Sequence, residues 1–292
     1  MDVDALLTRC RFPAPGSAVT CGVSGGADSL ALLVLACSAG LGVTAVHVDH
    51  GLRDGSADEA AVVAEAARRF GASFRRERVD VGLGPNLEAR ARRARRAALG
   101  PGALTGHTAD DQAETVVLNL LRGAGLDGLR GIRDDGTKPL LSLRRFETHA
   151  LCAHLGLRPV VDPSNDDLAL RRNRVRHEVM PLLADAAARD VSAVVARQAE
   201  LLADDADLLD AMAADLDPTD ASALDRAPRP LARRAVRAWL RDGDELHPPD
   251  AATVERVLAV ARGDVVACEV GGGRRVQRSR GRLSVRTATF QS

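Results

Sequence analysis

The sequence has very few aromatic residues, no tyrosine and almost no lysine. Aromatic residues make up 2% of its 292 positions, and all of its 40 basic residues are arginine except Lys138. This scarcity argues against a surface of stacked aromatic rings for binding single-stranded nucleic acid. The 40 acidic residues balance the basic ones, so no net charge draws the whole chain to nucleic acid or to a membrane. Any basic binding face must therefore be local.

Cysteines and long apolar runs are also scarce. The five cysteines are Cys10, Cys21, Cys37, Cys152 and Cys268, and no two have C-x-x-C spacing. This pattern argues against a disulfide scaffold, a zinc ribbon or an iron–sulfur cluster, and it is typical of a reducing cytosol. The longest apolar run, residues 30–39, is too short to span a bilayer, and residues 1–11 lack a signal-peptide core. We therefore expect a cytoplasmic protein with no membrane partner.

The first half of the chain alternates between short apolar runs and helical patterns. Strands are predicted at residues 18–23, 43–48, 73–79 and 103–105, and helices at residues 27–38, 57–70, 86–99 and 109–121. Strands that alternate with helices form parallel sheets with crossover helices. The predicted fold class is therefore α/β with a doubly wound, mostly parallel sheet, whose ligands bind beyond the carboxyl ends of the strands.

The second half is mostly helical. A long helical pattern runs from residue 180 to residue 215, and further helices are predicted at residues 233–240 and 251–261. Short strands are predicted over residues 265–285, with turns at glycines 271–273 and at Gly281. We therefore predict two domains, residues 1–185 and a smaller, mostly helical domain at residues 186–292.

A glycine-containing segment follows the first predicted strand and opens a helix. It consists of Ser24, Gly25, Gly26, Ala27, Asp28 and Ser29. Backbone amides at a helix start bind phosphate, and glycines let the backbone curl around it. Asp28 would repel phosphate unless a cation lay between them, which favours Mg²⁺. The segment has no Walker lysine, and the alternative is a plain strand–turn–helix with a capping side chain.

A later helix carries a charged face. On a helix that begins near residue 108, the spacing places His107, Asp111 and Glu114 on one side, with Arg122 returning to it. The opposite face is apolar and is predicted to pack against the sheet. It consists of Ala113, Val116, Val117 and Leu120. The alternative is a solvated amphipathic helix with acidic residues at its N-terminus.

Several further segments occur in a distinctive order. They are HVDHGLR at 47–53, NLEARAR at 86–92, TGHTADDQAET at 105–115, LLRGAGLDGL at 120–129, KPLL at 138–141, DPSN at 162–165 and RNRVR at 172–176. The loop SGGADS resembles the PP-loop of the ATP pyrophosphatases, which include NAD synthetases and tRNA-modifying enzymes. Together with the later segments, it resembles the tRNA(Ile)-lysidine synthetases over about residues 18–185.

This resemblance implies a ligase that uses ATP and Mg²⁺ to adenylate the wobble cytidine of a tRNA(Ile) with a CAU anticodon. Free L-lysine then replaces AMP, giving lysidine. The resemblance also implies a homodimer, a PP-loop catalytic domain at residues 1–185 and a tRNA-contacting domain at residues 186–292.

The resemblance also assigns residues to roles. ATP binding falls to the loop residues Ser24, Gly25, Gly26, Ala27, Asp28 and Ser29 and to His47 and Asp49. The catalytic residues are Asp28, Asp111 and Glu114, with Asp28 as the Mg²⁺ ligand, and lysine is bound by Asp111, Glu114 and His107. Contacts with tRNA fall to Arg122, Arg172, Asn173, Arg174 and Arg176. For His47 the alternative is a core histidine, and for Asn173 it is turn chemistry.

Two other functions remain open at this point. A PP-loop cytidine thiolase would need paired cysteines or a cluster, which the cysteine spacing does not provide. A non-catalytic RNA-binding relative would be expected to have lost the loop or the carboxylates, and both are present.

Overall fold

A computed structural model of the chain describes residues 2–49, 56–82, 87–241 and 249–287. Residues 50–53 of the segment HVDHGLR and Asn86 of the segment NLEARAR lie outside the described residues. The strands are β1 (Ala18–Gly22), β2 (Gly42–Asp49), β3 (Ser73–Arg78), β4 (Leu104–Thr105), β5 (Ala267–Gly271), β6 (Arg274–Ser279) and β7 (Arg282–Thr287). The helices are α1 (Val3–Leu7), α2 (Ala27–Ser38), α3 (Ser56–Arg69), α4 (Leu87–Leu99), α5 (Ala109–Leu121), α6 (Leu126–Leu129), α7 (Arg145–His154), α8 (Arg171–Arg174), α9 (Met180–Ala187), α10 (Val191–Ala214), α11 (Ala221–Arg226), α12 (Arg229–Leu240) and α13 (Ala251–Arg262).

The chain divides into two compact units, Met1–Leu201 and Leu202–Ser292. The division falls within α10, whereas the sequence predicts a boundary near residue 185. A helix that continues through a division leaves no proline or glycine signal there. The long helical pattern from residue 180 is interrupted between α9 and α10, where Ala188 has a φ of +50°.

A parallel sheet forms the centre of the first unit. Its strand order is β3-β2-β1-β4, with Ala18 opposite Gly42, Thr44 opposite Ser73 and Gly22 opposite Thr105. The predicted α/β class is thus confirmed. Strand β3 is rich in charged residues because it lies at the edge of the sheet, where most of its side chains are exposed.

Helix α2 is the centre of the hydrophobic core. Leu30, Leu32, Leu33 and Leu35 are all fully buried, although they lie on different sides of the helix. An α-helix that is apolar around its whole circumference must be covered on all sides, as the sequence predicts. Among its neighbours is α7, whose Leu151 is also fully buried in this core. The two helices together hold the loop at the start of α2.

The second unit combines α11–α13 with an antiparallel sheet in the order β5-β6-β7. Val276 and Leu283 from the sheet pack with Val257 and Val236 from the helices. The predicted turns are confirmed, since β5 ends at Gly271 and Gly281 joins β6 to β7 with a φ of +77°. Among the described residues, no helix is long and apolar enough to cross a membrane.

Candidate active site

The glycine segment forms a tight bend between β1 and α2. Gly25 has a φ of +91°, which favours glycine, and Gly26 caps the helix. The Ser29 hydroxyl accepts a hydrogen bond from the Ser24 amide at 3.1 Å and donates to the Gly26 carbonyl at 2.8 Å. The Val160 amide donates to the Gly25 carbonyl at 3.0 Å, so a distant segment also supports the bend. The bend thus lies at the carboxyl end of β1, and the positive end of α2 favours an anion there.

Asp28 lies in the first turn of α2 and faces two residues of α7. Its Oδ1 accepts a hydrogen bond from the Thr148 hydroxyl, and its Oδ2 lies 3.7 Å from Arg145 Nε. Burial raises the pKa of Asp28, and the negative charge of Asp111 adds to this, whereas Thr148 and Arg145 act in the opposite direction. The rise in pKa shows that the neighbouring groups do not fully compensate for burial of the carboxylate.

Helix α5 carries the acidic residues and begins with a capping box. The N-cap is Thr108, whose amide and hydroxyl donate to Asp111 Oδ2 at 2.8 and 3.0 Å. Asp111 and Glu114 are both buried. Ala113 and Val117 are buried as predicted, but they pack with Val175 and Met180 rather than with the sheet. The expectation that Leu120 packs against the sheet is wrong, because it is 60% exposed, near the end of a helix whose preceding strand has only two residues.

Three arginines surround the two buried carboxylates. Arg145 donates to Glu114 Oε1 at 2.9 Å and to Asp111 Oδ1 at 3.1 Å. Arg172 donates to Asp111 Oδ1 at 2.8 Å and to Glu114 Oε2 at 3.0 Å. Arg176 donates to the two oxygens of Glu114 at 2.7 and 3.0 Å. Every oxygen of Glu114 therefore accepts from two guanidinium groups.

These arginines determine the ionisation of both acids. Burial alone would raise the pKa of Asp111, but Arg145 and Arg172 outweigh it and hold this pKa below its usual value. Burial would likewise raise the pKa of Glu114, but Arg176 and Arg145 outweigh it and hold this pKa below its usual value. Both side chains are therefore carboxylates at neutral pH.

His107 lies just before the cap of α5 and is neutral. Its Nδ1 shares a hydrogen bond of 2.9 Å with the Thr105 hydroxyl. Burial lowers the pKa of His107 to about 4, and the charges of Arg172 and Arg95 lower it further, against the effect of Asp111. At neutral pH this imidazole can thus accept a hydrogen bond from a cation without repelling it.

His47 and Asp49, which the resemblance assigns to ATP binding, lie on β2. His47 is buried, and its Nδ1 is 3.1 Å from the Val23 carbonyl oxygen, so this side chain is built into the core. Asp49 is also buried and pairs with Arg76 at 2.7 Å. Their predicted contact with ATP stays a prediction.

The residues predicted to contact tRNA have three different environments. Arg122 and Arg174 are exposed, with Arg174 paired to Glu178 at 3.1 Å, whereas Arg172 and Arg176 point to the carboxylates. Asn173 is buried, and its amide donates to the backbone carbonyls of residues 164 and 167 at 2.7 and 2.9 Å. Its side chain thus orders a turn next to Arg172, and its contact with tRNA stays a prediction.

Sequence reasoning missed the start of α7. Arg144 pairs with Asp110 through hydrogen bonds of 3.0 and 2.9 Å, and the Arg145 amide donates to the same carboxylate at 2.7 Å. Arg145 and Thr148 then reach Asp28 from this helix. One signal was available, because two arginines at a helix N-terminus oppose the helix dipole and need acidic partners.

The single lysine lies apart from this group. Lys138 Nζ donates to Asp135 Oδ1 at 2.8 Å and also to the hydroxyl of Thr137. Within the part of the chain that the structure describes, all the side-chain cations on Asp111 and Glu114 are therefore guanidinium groups.

Comparison with known proteins identifies a family for a segment of each unit. A PP-loop domain family matches residues 3–183, and a family described as the TilS substrate binding domain matches residues 220–284. The chain is 43% identical to the tRNA(Ile)-lysidine synthase of Nocardia farcinica, with 94% of each chain covered. It is 40% identical to that of Rhodococcus jostii, covering 93% of this chain and 90% of the relative.

A solved structure gives an independent view of the fold. The U34-tRNA thiolase NcsA from Methanococcus maripaludis, solved with its [4Fe-4S] cluster, aligns with a TM-score of 0.53. The alignment covers 68% of this chain and 78% of the thiolase, at 18% sequence identity, so it shows a shared fold alone. Given the two family matches and the identity along almost its whole length, the chain belongs to the tRNA(Ile)-lysidine synthase family of PP-loop proteins.

Proposed function

We propose that this chain uses ATP to join free L-lysine to the wobble cytidine of a tRNA(Ile) with a CAU anticodon, producing lysidine, AMP and pyrophosphate. One observation carries the proposal beyond family membership. Arg145 lies within 3.7 Å of Asp28 in the glycine bend and within hydrogen-bond distance of both Asp111 and Glu114. The glycine bend, which we propose binds phosphate, and the acidic pair are therefore linked through one side chain, which supports a reaction that combines ATP with a cationic amino acid.

The first step is adenylation. The carbonyl oxygen of cytosine attacks the α-phosphorus of ATP, the bond from that phosphorus to the bridging oxygen breaks, and pyrophosphate leaves. The backbone amides of the bend and the N-terminus of α2 would stabilise the negative charge of the phosphates. Asp28 would orient the reacting groups from the first turn of the same helix.

The second step is transfer to lysine. The ε-nitrogen of lysine attacks the carbon that carries the adenylate, a C–N bond forms, the C–O bond breaks, and AMP leaves with the oxygen. The ε-amino group is an ammonium ion at neutral pH, so it must be bound by carboxylates and must lose a proton before it attacks. Asp111 and Glu114 would supply these carboxylates, and the neutral His107 would supply a further acceptor.

Magnesium is part of the same proposal. Asp28 fits a Mg²⁺ ligand because it is a half-buried carboxylate with a raised pKa, which a cation would compensate. Among the described residues, no group of three or more histidine, cysteine, aspartate or glutamate side chains could hold a metal ion. This matches Mg²⁺, which commonly binds one or two carboxylates together with substrate phosphates and water. Bound there, it would neutralise charge on the departing pyrophosphate.

A thiolase is not favoured. Burial raises the pKa of Cys10 and of Cys21 to about 12, and that of Cys152 to about 11. The pKa values of Cys37 and Cys268 are raised by burial as well. Thiolates, which sulfur transfer requires, are therefore disfavoured at all five positions.

The test combines purified protein, ATP labelled at the α-phosphate, L-lysine and a tRNA transcript with a CAU anticodon. We expect labelled AMP and pyrophosphate. By mass spectrometry, the mass of the cytidine should increase by that of one lysine less one water. A transcript with uridine at the wobble position and an Asp28→Asn variant are the controls, and neither should form product. Repeated turnover of ATP in the absence of lysine, or equal use of other amino acids, would contradict the proposal. The homodimer stays a prediction, which light scattering on the same preparation tests.

A further inference from the structure

The acidic pair, as the structure shows it, is closed to a cation. Three guanidinium groups face the two carboxylates of Asp111 and Glu114, and the carboxylate of Asp28 lies 3.7 Å from one of these groups, so each carboxylate already has a cationic partner. All four carboxylate oxygens accept hydrogen bonds already. An ammonium ion that enters this site meets repulsion and finds no unoccupied acceptor. At least one guanidinium group must therefore leave before lysine binds to the pair.

The three arginines are not held equally. Arg145 begins α7, which is fixed to α5 through Asp110 and to α2 through its own core residues. Arg172 and Arg176 instead come from the short helix α8 and the π-helical turn Val175–Val179 that follows it. A π-turn is an irregular segment that is frequently found at functional sites. Arg172 and Arg176 are thus the residues that can change partner without dismantling α7.

Both of these side chains also have a route to solvent and a suitable spacing. Their side chains are 33% and 24% exposed, whereas Glu114 beneath them is 2% exposed. Arg172 and Arg176 are four positions apart, so they lie on the same side of consecutive helical turns. A guanidinium group can bind phosphate oxygens through two parallel hydrogen bonds, and two neighbouring, partly exposed groups can bind the same phosphate.

We propose that Arg172 and Arg176 form a phosphate-binding site that exchanges partner. Phosphate oxygens of bound nucleotide or RNA take the two guanidinium groups, and Asp111 and Glu114 are thereby released to bind the ammonium group of lysine. Each charge keeps a partner of opposite sign throughout the exchange, which avoids the cost of a buried unpaired ion. The inference rests on the proposed function, and it adds that lysine and the phosphate ligand bind cooperatively.

Cooperative binding has a measurable consequence. If a phosphate ligand increases the affinity for lysine by some factor, lysine must increase the affinity for that ligand by the same factor. We expect a factor of about 10 or more, within the usual range for coupled sites. The enzyme would then bind lysine well only when a phosphate-bearing substrate is already present.

The experiment measures binding of radiolabelled L-lysine to the full chain by equilibrium dialysis. Four samples are compared: protein alone, protein with α,β-methylene ATP, protein with the CAU-anticodon tRNA transcript, and protein with both. The methylene analogue cannot be cleaved between its α and β phosphates, so no turnover occurs. Tighter lysine binding with the analogue alone identifies nucleotide as the source of phosphate, and tighter binding with the transcript alone identifies RNA. Equal affinity in all four samples overturns the proposal.

Variants separate partner exchange from a general effect of charge. The double variant Arg172→Gln, Arg176→Gln should bind lysine about tenfold more tightly than the wild type in the absence of phosphate ligands, and should lose the coupling. Arg189→Gln removes the same charge from an exposed position outside the site, and should retain wild-type affinity and coupling. A double variant that is folded but keeps the full coupling overturns the proposal. If it does not fold, as judged by circular dichroism, the four wild-type samples still decide.

Failure of the partner exchange can be distinguished from failure of the proposed function. The turnover assay with ATP, lysine and the transcript is run on the same preparation. Lysidine formation with uncoupled lysine binding rejects the exchange and leaves the function standing. If no lysidine forms in this turnover assay, the proposed function itself is rejected.

Discussion

Replacing Asp110 with asparagine should destabilise the first unit and misplace α7. The carboxylate of Asp110 accepts two hydrogen bonds from the Arg144 side chain and one from the Arg145 amide, and both side chains are 17% exposed. Asparagine keeps one acceptor oxygen, but it turns an NH₂ group towards the guanidinium and removes the negative charge. Hydrogen bonds to charged groups contribute about 1.5–3 kcal/mol each, and partial exposure reduces the sum. We therefore expect a loss of about 2 kcal/mol, or roughly 4–8 °C in the unfolding midpoint.

The assay is thermal and urea unfolding followed by far-ultraviolet circular dichroism. Trp239, the single tryptophan, lies in the second unit, so its fluorescence reports that unit and should change less. Asp134→Asn is the matched control, because the Arg11–Asp134 pair is more exposed, at 65% and 31%, and should contribute less than about 1 kcal/mol.

The effect of Asp110 should also depend on pH in a defined direction. Burial raises the pKa of Asp110, but Arg144 and the Arg145 amide outweigh burial and hold the pKa below its ordinary value of 3.8. A lowered pKa in the folded state means that the stabilisation is complete above the unfolded-state pKa and is lost as pH falls through the folded-state value. The difference between wild type and Asp110→Asn should thus be constant near neutral pH and shrink below about 4. Equal stability of the two proteins at neutral pH would refute the role assigned to this carboxylate.

Four further variants test the site itself. Asp111→Asn and Glu114→Gln should each raise the KM for lysine more than the KM for ATP in steady-state assays, because each removes a carboxylate from the proposed ammonium site. Thr148→Val removes a hydrogen bond that lowers the pKa of Asp28, so that pKa should rise further and the acid limb of the kcat/KM profile should move to higher pH. Gly106→Ala should weaken ATP binding in a filter assay at least several-fold, because its Cβ would lie 2.5 Å from the backbone oxygen of Asp28.

The threonine and glycine variants have matched controls, and two of the predictions are given a result that would contradict them. Thr148→Ser keeps the hydroxyl and should retain the wild-type pH profile. An unshifted profile in the Thr148→Val variant would show that Thr148 does not control the pKa of Asp28. Gly125→Ala adds the same methyl group where nothing lies within 4 Å, and should bind ATP normally. Unchanged lysine dependence in both carboxylate variants would take Asp111 and Glu114 out of the lysine site.

Much of the first unit could be predicted because its elements have strong local signals. Helix α2 is apolar on every side, and its predicted bounds, residues 27–38, agree with the structure, as do those of α5. The acidic face of α5 was predictable from helical spacing alone. The partners of that face were not, because Arg145, Arg172 and Arg176 follow it by 31 to 62 positions. Ion pairs between such distant positions leave no periodic pattern, particularly in a chain where arginine is abundant.

Contacts made only in the folded chain also determine the roles of individual residues. Asn173 lies in a cluster of arginines, and only the folded chain shows that its amide orders the turn at residues 164–167. The supporting contact of Val160 with Gly25 likewise depends on the path of the chain after α7. Turn chemistry was the alternative that the sequence offered for Asn173, whereas Val160 carries neither a charge nor a spacing that would single it out.

The nearly exclusive use of guanidinium groups has a consequence for chemoselectivity. An activated cytidine is an electrophile, and any nearby deprotonated amine would compete with the substrate for it. Guanidinium groups stay protonated at physiological pH and are therefore poor nucleophiles, whereas the only side-chain amine, Lys138, is hydrogen-bonded to Asp135 and Thr137. Under the proposed reaction, the anionic groups of the substrates are bound by cations that are poor nucleophiles, so attack of the protein's own side chains on the activated cytidine is suppressed by composition.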